Sequence, residues 1–155
     1  MMKLPVEIIT ENSEMTEIVG ADLAKAIAED SGLPRFIAMY GDLGVGKTAF
    51  VRGFCSYLCP GAIVKSPTFA LVNEHKVTNV TSGMKKVCHF DMYRIADEDD
   101  LYSIGFYDYL KPDSVCIAEW CEMIPYALPD SYIKIEIEKL DFENKRKIHI
   151  SSIGV

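Results

Sequence analysis

Arg35-Phe36-Ile37-Ala38-Met39-Tyr40 runs straight into Gly41-Asp42-Leu43-Gly44-Val45-Gly46-Lys47-Thr48, and this stretch decides the fold. Arg35–Tyr40, opened by Pro34, is an almost unbroken apolar run of strand length, the pattern of a strand buried on both faces in a parallel sheet. Gly41–Thr48 then satisfies G-x-x-x-x-G-K-[ST], a loop whose parts each answer a physical need. Its glycines let the backbone curl until successive N–H groups converge on a phosphate. The helix that follows adds the partial positive charge of its N-terminus. Lys47 reaches the β and γ oxygens, and Thr48 offers a hydroxyl to Mg²⁺. Ala49–Leu58 reads as that helix, closed by Cys59-Pro60-Gly61. Strand, loop and helix together give the motif the context it requires.

Outward from this core, Asn12 or Ser13 caps a first helix in which Met15, Val19, Leu23 and Ile27 recur every fourth residue, with Ile18 and Ala26 beside them. Ser31-Gly32 ends it. Further strands are expected at Phe69–Asn73, Val87–Phe90, Val115–Ala118, Tyr132–Glu138 and Lys147–Ser151. His75–Lys86 reads as a hairpin loop, and Asp97–Leu110 as a helix broken near Gly105. Asp97-Glu98-Asp99-Asp100 is the acidic first turn of that helix, favoured by its dipole. Helices alternating with strands predict an α/β fold, and the strand-rich C-terminal part predicts antiparallel additions. The sheet is therefore expected to be mixed, within a single domain over residues 1–155.

Composition excludes several classes. The chain has 155 residues, 16 Lys and Arg against 23 Asp and Glu, and a net charge of −7. So acidic a surface repels a nucleic-acid backbone. No apolar run approaches the roughly 18 residues that a membrane span needs. The N-terminus turns acidic at once, unlike a signal peptide. Five cysteines (55, 59, 88, 116 and 121) include no C-x-x-C pair. They read as reduced structural thiols, which predicts a cytoplasmic chain.

A phosphate loop needs a carboxylate beside it. Val87-Cys88-His89-Phe90-Asp91 and Val115-Cys116-Ile117-Ala118-Glu119 are apolar strands that each end on an acid. In an open α/β sheet the carboxyl ends of parallel strands line the ligand crevice, so Asp91 and Glu119 are the candidate catalytic carboxylates. His89 and Arg94 read as residues that orient the strand end. Guanine recognition by N-K-x-D is absent, since Asn144-Lys145 is followed by Arg146-Lys147. ATP is the expected nucleotide.

GDLGVGKT at 41–48, SPTF at 66–69, HFDMYR at 89–94, AEW at 118–120 and LPD at 128–130 occur in this order. In order and spacing the set resembles the TsaE (YjeE) family over nearly the whole chain. The resemblance implies a P-loop NTPase three-layer sandwich with a mixed, mainly parallel central sheet. It implies a small bacterial ATPase needed to form N6-threonylcarbamoyladenosine in tRNA, acting with TsaD and TsaB. TsaD would carry the transfer, the ATPase would cycle that complex, and tRNA would be met only through it.

Position by position, the resemblance implies Lys47 as the phosphate lysine, with Thr48 and Glu119 as the Mg²⁺-associated pair. Asp91 becomes the Walker-B-like aspartate, and Thr68 lies in a switch-type loop. Trp120 is implied to lie close to the nucleotide, and Ser13 where the base or sugar is contacted. A basic residue near Arg146 is a further contact. Two positions depart from the family pattern. Val45 replaces an alanine, and Ala49 replaces a threonine whose hydroxyl could touch the α-phosphate.

Two other readings compete with a partner-coupled ATPase. A small-molecule kinase would carry an arginine-rich lid, whereas the four arginines here (35, 52, 94 and 146) form no cluster. A nucleotide-gated binding module would share every motif. The missing N-K-x-D element generates the first prediction. In titrations with Mg²⁺, ATP and ADP should bind at least about tenfold more tightly than GTP and GDP, a difference of ~1.4 kcal/mol. Equal or tighter GTP binding would overturn the adenine assignment.

Overall fold

The computed structural model describes residues 2–42, 44–67, 71–79, 83–142 and 144–154. Seven strands form one sheet: β1 (Val6–Thr10), β2 (Phe36–Tyr40), β3 (Val72–Lys76), β4 (Lys86–Asp91), β5 (Ser114–Glu119), β6 (Tyr132–Lys139) and β7 (Arg146–Ile153). Their order across the sheet is β1-β7-β6-β2-β5-β4-β3. The central strands β6, β2, β5 and β4 run parallel; β7 and β3 flank them in the opposite direction, and β1 pairs antiparallel with β7 at the edge. The expected mixed α/β sheet is what the chain forms.

Strand alternation divides the core into two layers. Ile37, Met39, Val87, Val115, Ile117, Ile133, Ile135 and Ile148 face helices α1 (Ser13–Glu29) and α2 (Lys47–Leu58). Phe36, Ala38, Cys88, Phe90, Cys116 and Ala118 face the other way. They pack on the short helix α3 (Glu98–Ser103) and the 3-10 turns Phe106–Tyr109 and Cys121–Met123. All five cysteines are free and buried. No helix of the described residues is long and apolar enough to cross a membrane.

Local signals explain most element ends. Asn12, rather than Ser13, caps α1, its side chain accepting the Met15 N–H at 2.8 Å. Val19, Leu23 and Ile27 are buried as the four-residue spacing predicts, but Met15 and Ile18 lie on the outer flank with Ile18 59% exposed. Asp97 caps α3 by accepting from Asp100 N–H, and Asp100 accepts from Ala96 N–H in return. The break at Gly105 is present, with the chain there in the left-handed region.

Three expectations need correction. The strand placed at Phe69–Asn73 is β3 at Val72–Lys76, so His75 and Lys76 belong to the strand and not to a loop. Phe69 and Ala70 lie outside the described residues. Helix α2 starts at Lys47, two residues before Ala49. Strand β1 was not expected at all: Val6 and Ile8 alternate with Glu7 and Ile9, too short a run beside Pro5 to stand out, and its partner β7 lies at the far end of the chain.

Helices α1 and α2 meet backbone to backbone. A Cβ on Gly20 would run into the Phe50 carbonyl, and one on Gly53 into the Glu17 carbonyl. This contact fixes α2, and with it the loop from which α2 starts. Gly53→Ala gains ~1 kcal/mol of helix propensity but must push the helices apart. The net result should be a loss of about 1–3 kcal/mol in unfolding free energy by urea titration. An unchanged midpoint would show that the helices are not in this contact.

Candidate functional site

Tyr40 ends β2 and the chain turns through the phosphate loop into α2. Gly41 has φ +142°, and a Cβ there would press on the Ile137 carbonyl oxygen and on Val45 Cγ2 at 3.0 Å. Only glycine fits. Val45 is itself buried in the α1/α2 layer, so the methyls that distinguish it from alanine fill core volume. Gly46, also left-handed at φ +105°, is the N-cap of α2 and supplies no side chain to its first-turn N–H groups. Those donors are left for a ligand, and a helix start of this kind suits an anion.

Lys47 lies inside this turn, only 5% exposed. Its Nζ donates to the Gly41 carbonyl at 2.5 Å and sits 3.7 Å from the centre of the Trp120 ring. Burial lowers its pKa from the ordinary lysine value, while the charges of Glu119, Glu122, Asp91 and Asp42 pull it back up. Trp120 takes a left-handed backbone (φ +60°) to reach this place, and Tyr93 packs on it with ring centres 4.9 Å apart. Thr48 Oγ1 is 3.0 Å from Ser66 Oγ.

The two acids arrive from neighbouring strands. β4 and β5 run parallel in a register that pairs Asp91 with Glu119 at their carboxyl ends. Glu119 is 4% exposed, and its Oε2 lies 2.5 Å from His89 Nε2. Asp91 is half-buried. Burial raises its pKa, the Tyr93 N–H bond at 3.0 Å opposes that shift, and the Glu119 charge adds to it. Gly44, Gly46, Lys47, Thr48, Ser66, Asp91, Glu119 and Trp120 together line a cavity of about 380 Å³.

A larger cavity of about 560 Å³ lies past Gly41, over β1, β6 and β7. Its polar side chains are already engaged with one another: Lys147 pairs with Glu7 and Glu138, and His149 Nδ1 lies 3.4 Å from Glu136 Oε1. The loop glycines, the lysine and the strand-end acids line the smaller cavity instead, which makes it the candidate site.

Of the residues singled out in the sequence, Gly44, Gly46, Lys47, Thr48, Asp91, Glu119 and Trp120 line this one cavity. Asp42 is exposed beside it, and Ala49 lies in the first turn of α2. Leu43 and Thr68 fall outside the described residues. Ser13 opens α1 on the exposed side. It is Thr16, one turn later, whose methyl approaches Gly46.

Four further residues act on the loop: the sequence marks Arg146 only as a basic contact and Ser66 only as part of the SPTF motif, and it does not mark Lys139 or Glu122. Arg146 donates from Nε to the Val45 carbonyl at 2.8 Å and from Nη2 to that of Gly44 at 3.3 Å, so its guanidinium clamps the loop backbone. Lys139, opposite Arg146 in the β6–β7 pair, brings its ammonium beside Gly44. Glu122 accepts the Gly41 N–H at 3.0 Å, and Ser66 reaches Thr48. For Ser66 the SPTF motif was the available sign. The others depend on pairings that no local pattern reveals.

Residues 10–148 match the profile of the family described as threonylcarbamoyl adenosine biosynthesis protein TsaE. The chain belongs to the TsaE family. It is 38% identical to the tRNA threonylcarbamoyladenosine biosynthesis protein TsaE of Haemophilus influenzae, over 68% of this chain and 63% of that one. The chain thus spans less than two thirds of the Haemophilus protein. The TsaE of Bacillus subtilis is 32% identical over 94% of this chain and 84% of its own length, and that of Rickettsia bellii 31% over 98% and 99%. The crystal structure of Bacillus subtilis YdiB superposes with a TM-score of 0.68 at 26% identity, covering 100% of this chain and 89% of that one. The family serves threonylcarbamoyladenosine biosynthesis.

The raised pKa of Asp91 has a consequence for stability. A carboxyl whose folded pKa exceeds its unfolded value favours the folded state while it is protonated, and loses that advantage as pH rises through the folded pKa. Asp91→Asn, which mimics the protonated form, should therefore be more stable than the parent at pH 7. Its advantage should shrink to nothing below the ordinary carboxylate range. Urea midpoints from pH 3 to 8 test this, and a destabilised variant at pH 7 would contradict it.

Proposed function

We propose that this chain is a Mg²⁺-dependent ATPase that supports tRNA threonylcarbamoyladenosine formation by cycling a TsaD–TsaB complex between turnovers. The observation that carries the reading is the convergence of Lys47, Thr48, Asp91 and Glu119 on one cavity at the uncapped start of α2. A hydroxyl and two carboxylates are hard oxygen donors, the set that suits Mg²⁺. Thr48 and Glu119 would hold the ion, which when bound neutralises charge on the β and γ phosphates.

The chain's own residues do the remaining work. The first-turn N–H groups of α2 bind phosphate oxygens, and Lys47 moves from the Gly41 carbonyl to the β and γ oxygens. Asp91, with its raised proton affinity, stands where it can orient an attacking water. Trp120 covers Lys47 and Tyr93 packs on the Trp120 ring, which shields the ammonium from water and strengthens its interaction with phosphate. Among the described residues no arginine cluster supports the kinase alternative: Arg35, Arg52 and Arg146 are engaged by Pro112, Glu17 and the loop carbonyls, and Arg94 by itself does not make a lid. With an acidic chain, contact with tRNA is left to TsaD and TsaB.

Binding and turnover should separate on mutation. Lys47→Ala removes a direct phosphate contact and should weaken ATP binding by about tenfold or more. Asp91→Ala and Glu119→Ala should bind ATP within a few-fold of the parent, yet lose on the order of 10²–10³ in turnover as transition-state stabilisation is lost. Trp120, the only tryptophan, supplies the binding readout by fluorescence. Multiple-turnover tRNA modification with TsaB and TsaD supplies the other. Near-normal modification by both carboxylate variants would sink the mechanism.

A further inference from the structure

His89 is fully buried, two residues before Asp91 on β4 and on the side of the sheet that faces α2. Its Nε2 lies 2.5 Å from Glu119 Oε2. Its other ring nitrogen, Nδ1, is equally buried and has no hydrogen-bond partner among the described residues. Buried histidines held for packing ordinarily have their polar atoms satisfied, because each one left unpaired costs about 1–3 kcal/mol. This ring makes one polar commitment, and that commitment is to Glu119.

Glu119 needs such a partner. It is almost wholly buried, stands in register beside Asp91, and lies near the Lys47 ammonium. Left free, its carboxylate would turn toward Lys47 and away from Asp91, since opposite charges attract and like charges repel. A donor fixed on Oε2 selects one rotamer and leaves the second oxygen for the cavity. Partners of this kind orient carboxylate and imidazole ligands in metal sites, and losing one weakens metal affinity or activity about ten- to a hundredfold.

We propose that His89 is a positioning residue which, by holding Glu119 Oε2, aims the other Glu119 oxygen at a divalent cation bound with the nucleotide. The inference rests on the metal-and-nucleotide reading above. His89 touches neither the cation nor the phosphates.

The experiment compares His89→Leu, His89→Asn and His89→Gln with the parent, using Mn²⁺ and ADP as probes. Glutamine can place an amide N–H near the position of Nε2, whereas the shorter asparagine cannot. Free Mn²⁺ is measured by electron paramagnetic resonance, ADP affinity without metal by Trp120 fluorescence, and folding by thermal unfolding. His89→Leu and His89→Asn should lower Mn²⁺ affinity about ten- to a hundredfold. Metal-free ADP affinity should stay within about twofold, and His89→Gln should recover most of the loss. ATP turnover should fall in kcat more than KM rises. In the metal-free parent, nitrogen NMR should show the His89 proton on Nε2.

A proton found on Nδ1, unchanged Mn²⁺ affinity in His89→Leu, or equal losses in the Gln and Leu variants would each overturn the proposal. A parent that binds ADP and Mn²⁺ while its variants behave identically overturns the role of His89 alone. A parent that binds neither overturns the functional reading as well.

Discussion

Burying the Lys47 ammonium is the constraint on which the rest of the site depends. A charged group taken out of water carries an effective penalty of several kcal/mol unless its surroundings replace the lost hydration. Here the replacements come from four places: the Gly41 carbonyl, the face of Trp120, the strand-end acids Asp91 and Glu119, and Glu122 from the turn after β5. They are brought in by the end of β2, by the paired ends of β4 and β5, and by the turn that follows β5. The parallel register of β4 and β5 supplies the acids, and a left-handed backbone at residue 120 supplies the ring.

The two layers of the core divide this work. The α1/α2 layer spans the sheet from β1 to β4 and fixes the start of α2 through the close contact at Gly20 and Gly53. The α3 layer is centred on β2, β5 and β4, with Val72 of β3 and Tyr132 of β6 at its margins, and the turn after β5 carries Trp120, Cys121 and Glu122 just beyond the strand ends. Strands β6 and β7 carry the remaining positive charge. Lys139 and Arg146 come to the loop from paired positions, so a chain with net charge −7 still gathers cations beside Gly44 and Val45.

Much of this was readable before any coordinates. The loop motif, the apolar strands ending at Asp91 and Glu119, and the α1 periodicity are local patterns, and the chain folds as they say. Strand β1 escaped because a half-exposed pairing with β7 leaves only a weak alternation, and β3 was displaced because the apolar residues at 69–71 mimic a strand start. Arg146 was legible as a basic residue near the site but not as a clamp on two loop carbonyls, because that role exists only when β7 lies beside the loop.

The sequence by itself determined the fold class, the phosphate loop and the identity of the strand-end acids, because each is carried by spacing within a few residues. Only the tertiary structure decided that Trp120 covers Lys47, that Glu122 holds the first glycine of the loop, and that His89 is spent on Glu119. Those contacts join residues from strands and turns far apart in the chain, and they are set by sheet order and register. The free energy that selects them is the desolvation of one lysine and two carboxylates, which is settled only when the whole core closes around them.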